Sequence, residues 1–78
     1  MLKYELFEEN EKQILYRYYP EGNSDFGVIS VTKDTKEYNV VNLAKTDKHY
    51  RYALKMFTKI RKFIEDDSFE KSGTMAWY

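Results

Sequence analysis

The stretch at 46–67, TDKHYRYALKMFTKIRKFIEDD, does most to limit what this chain can fold into. It alone is long and periodic enough to make a substantial helix, and the runs before it are too short to cover themselves. At about 100° per residue, Tyr50, Ala53, Phe57, Ile60 and Ile64 fall on one narrow stripe, the pattern of a core-facing helix. Tyr52, Met56 and Phe63 make a second apolar strip beside it, so the non-polar arc is wider than one sheet face usually needs. Thr46 or Asp47 is placed to cap the first turn by accepting hydrogen bonds from free backbone N–H groups. Glu65, Asp66 and Asp67 crowd the other end, where the helix dipole disfavours negative charge, which favours fraying or a stop near there.

Ahead of this helix the pattern has the two-residue period of strands. Residues 2–8 alternate Leu2, Tyr4 and Leu6 against Lys3, Glu5 and Phe7, and a polar turn follows at 9–12. The run 13–19 sets Ile14, Tyr16 and Tyr18 against Leu15, Arg17 and Tyr19, and large side chains on both faces mark a central strand. PEGNSD at 20–25 is the strongest turn signal, since proline presets φ while glycine and asparagine tolerate positive φ. GVISVT at 27–32 is a β-branched strand, 33–36 reverses the chain, and 37–43 alternates again. Short connections between successive strands favour a meander. Beyond the helix, Ser72 and Gly73 read as a turn. The run 74–78, TMAWY, is either a short fifth strand or a tail packed on the helix. The expected architecture is one α+β domain over 1–78: a four-stranded antiparallel meander with one long helix on one face and the far face open.

The residues offer little to catalysis. There are no cysteines, which removes disulfides and thiolate metal sites. His49 is the only histidine and has no nucleophile, carboxylate or second ligand at a useful spacing. Glu8–Glu9 and Asp66–Asp67 are neighbouring acids of the ordinary solvated kind, and no phosphate-cradling glycine motif is present. No enzyme, cofactor or metal is expected. The start, MLKYELFEEN, lacks a basic segment followed by an apolar run, and no stretch is long enough to span a bilayer. A soluble cytoplasmic protein is the expectation.

Two surfaces attract attention instead. The formal net charge is zero, but it cancels between separate patches: residues 45–64 carry seven basic and one acidic side chain, and residues 1–25 three and six. Lys48, Arg51, Lys55, Lys59 and Lys62 line the helix face opposite the apolar arc and could follow a phosphate backbone or an acidic partner. The competing reading is a solvated, Lys-rich face, and salt-dependent binding of nucleic acid separates the two. Aromatic content is the second signal, with eight tyrosines, five phenylalanines and one tryptophan. Core packing accounts for part of it; Tyr4, Tyr16, Tyr18 and Tyr38 are candidates for an interface on the uncovered side of the sheet. Trp77, a further interface candidate, is also the candidate partner of the second apolar strip on the helix, which otherwise meets another subunit. The functional expectation is therefore a small binding protein, acting on another protein or on a second copy of itself. The alternative is a nucleic-acid-binding accessory protein using the basic helix face.

YRYYPEG at 16–22, GVISV at 27–31 and the closing AWY at 76–78 together resemble small uncharacterised bacterial proteins of Gram-positive or mobile-element settings. That resemblance implies no activity and carries over no catalytic residue. It implies that 18–22 and Trp77–Tyr78 belong to a shared structural signature.

Overall fold

The computed structural model describes residues 1–21 and 24–75. In chain order these form β1 (Leu2–Glu9), β2 (Gln13–Pro20), β3 (Gly27–Thr32), β4 (Tyr38–Asn42), helix α1 (Arg51–Asp66) and β5 (Ser72–Met75). Every pairing is antiparallel, and the strand order is β4-β3-β2-β1-β5. The four-stranded meander is present, β2 lies at its centre as its two bulky faces require, and a fifth strand joins the far edge beside β1.

One expectation is corrected at that edge. Ser72 and Gly73 are not a turn but the first half of β5, paired with Glu5 and Tyr4. Gly73 is there because a Cβ would stand 2.6 Å from the Tyr4 hydroxyl oxygen, so only glycine lets that ring lie across the edge strand. The remainder of the 74–78 run after Met75, with Trp77, lies outside the described residues, as do Gly22 and Asn23 of the 20–25 turn.

The register decides which tyrosines are inside. Tyr4 pairs with Tyr18, Leu6 with Tyr16, and Tyr16 in turn with Ile29, so all of these share the face beneath the helix. Tyr4, Tyr16 and Tyr18 are fully buried. This corrects their assignment to an exposed interface: a small core needs bulk, and three tyrosines supply it at the centre of the sheet. Tyr4 and Tyr16 meet edge-on at 5.9 Å between centroids, and Phe63 packs on both at 6.1 and 5.8 Å. Each hydroxyl has a partner at the rim of the core. Tyr4 donates to the Glu70 carboxylate, Tyr16 to the Glu70 carbonyl at 2.6 Å, and Tyr18 to Asp47 at 3.2 Å. Loss of water around the Tyr18 phenol pushes its pKa up to about 12.

The helix begins later than its periodicity suggests, at Arg51 rather than 46. Asp47 does cap it, but from a distance. Its buried carboxylate accepts the N–H groups of Tyr52 and Ala53, each at 3.0 Å, while 47–50 turn tightly beneath. Tyr50 closes that turn with a left-handed backbone, φ 59°, and leaves the apolar stripe for a half-exposed position. The stop falls where the acids lie. Asp67 takes φ 51° and donates its N–H to the Ile64 carbonyl, while Ser68 N–H donates to Phe63.

Between these ends Ala53, Met56, Phe57, Ile60 and Phe63 are buried. Met56 and Phe63, set apart in the sequence as a second strip, rest on the sheet itself, so the helix has one wide buried face rather than two narrow ones.

Candidate functional site

With the tyrosine core accounted for, three surfaces remain. The open face of the sheet is the first. Its alternating residues put Arg17 between two rings, 4.6 Å from the Phe7 centroid and 5.1 Å from that of Phe26. Arg17 also pairs with Glu5 at 3.3 Å, Tyr19 donates to the same Glu5 oxygen at 2.8 Å, and the Tyr19 and Phe26 rings lie 5.5 Å apart. These groups satisfy one another, and among the described residues the Arg17 Nε is the one buried side-chain atom without a hydrogen-bond partner. Strand alternation sets Phe7 on this face with Glu5, although it sits at a bulge between Leu6 and Glu8; Phe26 lies just outside β3, where periodicity carries no information.

The second surface is the outer edge of β4. Thr32 donates its N–H to the Glu37 carbonyl at 2.8 Å, which makes Thr32 and Glu37 a bonded pair. Bonded and non-bonded pairs alternate along an antiparallel ladder. Val31 and Tyr38 are then non-bonded, Ser30 and Asn39 bonded, and Ile29 and Val40 non-bonded. Tyr38 and Val40 therefore point their N–H and C=O groups away from β3. Among the described residues, no backbone bond from another element reaches them. This is a bare strand edge of the kind that templates pairing.

A groove of about 430 Å³ runs beside that edge, lined by Tyr38, Asn39, Val40, Tyr50, Leu54 and Phe57. It exists because α1 packs over β2 and β3, so β4 extends beyond it as a ledge. Contacts fix the direction of the helix along the ledge. Tyr50 and Leu54 line the groove together with Val40, Phe57 stacks on Tyr38 at 4.1 Å, Arg61 lies 6.0 Å over the Tyr38 ring, and Glu65 reaches Lys36 at 3.8 Å. Helix and strand thus run antiparallel. Tyr38, Val41, Tyr50 and Leu54 stay 46, 57, 49 and 53% exposed, a concentration of large apolar side chains around one edge. Tyr50 reaches this position through its left-handed backbone, which closes the turn before α1 as Lys36 closes the turn before β4. Of the interface residues proposed from the sequence, Tyr38 is the one this edge contains.

The third surface is basic. Arg51, Lys55 and Lys62 are exposed on the outer face of α1, and Lys59 lies partly buried with its ammonium 5.4 Å over the Phe63 ring. Lys48 leaves the stripe because the helix has not yet started there; it lines a recess of about 220 Å³ with Thr46, Asp47, His49, Arg51 and Tyr52. Asp47, the acid in that recess, already spends both oxygens on capping. A larger hollow of about 620 Å³ lies at the β1–β2 turn, lined by Asn10, Glu11, Lys12, Gln13 and Thr32. There the Asn10 side chain holds the turn by accepting the N–H groups of Lys12 and Gln13. Among the described residues no cluster of acids and histidine is placed to hold a metal ion, and no helix is long and apolar enough to cross a membrane.

No protein-family model, no curated protein and no solved structure matches this chain.

Proposed function

We propose that this chain is a non-enzymatic protein-binding domain whose docking surface is the β4 edge with the groove beside it. One observation carries the reading: Tyr38 and Val40 present backbone groups that pair with none of the described residues, next to an apolar ledge. An extended segment added there gains main-chain hydrogen bonds from the edge. Every second side chain drops against Tyr50 and Leu54, which is the physics of strand addition. The open sheet face is a weaker candidate, because Arg17, Glu5 and Tyr19 already pair among themselves. The basic helix face is also a weaker candidate, because the row is broken: the Lys59 ammonium lies over the Phe63 ring, and Lys48 precedes the helix in a separate recess.

Selection of short random peptides on the immobilised protein tests this. Enriched peptides are expected to carry apolar residues at alternate positions, and Leu54→Glu should weaken their binding by about tenfold or more. Leu54 is exposed, so the substitution leaves the core intact. No enrichment, or peptides that bind Leu54→Glu equally well, would contradict the reading.

A further inference from the structure

The β4 edge is suited to a particular partner. In the regular part of the β3–β4 ladder, Tyr38 and Val40 point their backbone groups outward and Asn39 turns its own toward β3, while beyond the bulge at Val41 the Asn42 carbonyl lies by the β3 residue Gly27. An incoming strand must therefore offer two bonding residues separated by one non-bonding residue. β4 has that spacing, as every extended strand does, so the choice of partner falls to the side chains and charges around it. Turned about a two-fold axis that is perpendicular to the sheet and midway between two facing Asn39 residues, a second β4 sets its Val40 opposite Tyr38 and its Tyr38 opposite Val40. Each pair then exchanges both of its N–H···O bonds.

The side chains agree with the backbone. Because α1 runs antiparallel to β4, the same rotation faces the Phe57–Arg61 end of one groove with the Tyr50–Leu54 end of the other. The two ledges become one apolar trough. The charges also match. The start of β4 lies by Asp34, Glu37 and Glu65 with Lys36 and Arg61, and carries a net negative charge. The chain leaving β4 carries Lys45, Lys48 and Arg51, all exposed, against one partly exposed acid, Asp25, whose carboxylate is held by Thr46, so this end is net positive. The rotation lays the acidic end of each copy on the basic end of the other.

From this geometry we infer that the partner at the edge is a second copy of the chain, joined β4 to β4 into one continuous antiparallel sheet with both helices on the same side. The inference rests on the docking edge proposed above and names its occupant. It differs from pairing through the open sheet face, which leaves β4 free.

Sedimentation equilibrium of the whole chain over a wide concentration range is the test. The expected mass rises from 9.5 kDa toward twice that value. Val40→Pro removes an outward N–H without touching the ladder to β3 and should hold the protein at monomer mass. Leu54→Glu should do the same. A chain carrying Glu37→Lys with Glu65→Lys, and another carrying Lys45→Glu with Lys48→Glu, should each associate more weakly than the wild type. Mixed in equal amounts they should form the heterodimer, because each like-charge end then meets its opposite. A strict monomer at every concentration overturns the inference, and so does a dimer that survives Val40→Pro and Leu54→Glu. The peptide selection reads the docking edge independently: peptides captured by a strictly monomeric chain would retain the edge and remove the second copy.

Discussion

Replacing Asp47 by alanine is expected to cost the fold about 3 kcal/mol, although this residue lies outside every secondary-structure element. Its carboxylate, only 2% exposed, accepts three bonds: the N–H groups of Tyr52 and Ala53, and the Tyr18 hydroxyl. Alanine leaves all three donors without it. A lost cap costs about 1–2 kcal/mol, and an unsatisfied buried donor about 1–3 kcal/mol. In a domain of this size, each kcal/mol moves the melting temperature by about 4–8 °C. The Asp47→Ala midpoint should therefore fall by roughly 12–24 °C. Asp47→Asn keeps one acceptor oxygen and should lose about half as much. Equal midpoints for Asp47→Ala and wild type would show that the helix start does not depend on this residue.

Phe63→Ala should cost still more, about 3–5 kcal/mol. Its ring sits between Tyr4 and Tyr16 at the middle of the sheet, and α1 is the only described element that covers that face. A domain of 78 residues is stable by roughly 4–12 kcal/mol in total. The substitution therefore removes a large share of the whole and leaves a cavity that a single lid cannot close. Leu54→Ala, one helix turn or more away and exposed, should change stability by less than about 0.5 kcal/mol. Urea unfolding of the two variants separates them. Similar midpoints would mean that the helix is not seated on the sheet by Phe63.

These two residues also show what could be read from the residues alone and what could not. Phe63 was visible as apolar at helical spacing, but it was set on a strip apart from Phe57. The wheel gives angles around the helix, not the width of the surface beneath it. Asp47 was visible as a cap, yet the helix start was not, because the capping carboxylate reaches past a turn closed by Tyr50 in a left-handed conformation. The meander was legible because each strand alternates cleanly and each connection is short.

The docking edge was less legible. Tyr4, Tyr16 and Tyr18 looked alike with Tyr38, and only the cross-strand register separates three core tyrosines from one at a free edge. Bare N–H and C=O groups leave no mark on a sequence, since every non-proline residue carries them. The groove beside them arises from where α1 crosses the sheet, which is a property of packing rather than of any local run.

Amide hydrogen exchange at Tyr38, Asn39 and Val40, followed as protein concentration is raised, tests the central claim most directly. At high dilution the Asn39 N–H, bonded to β3, should be protected, while those of Tyr38 and Val40 exchange freely. At concentrations where the protein associates, Tyr38 and Val40 should become protected together. Protection of Tyr38 and Val40 already at high dilution would mean that the edge is covered within one chain. Unchanged exchange in the associated state would mean that partners meet elsewhere.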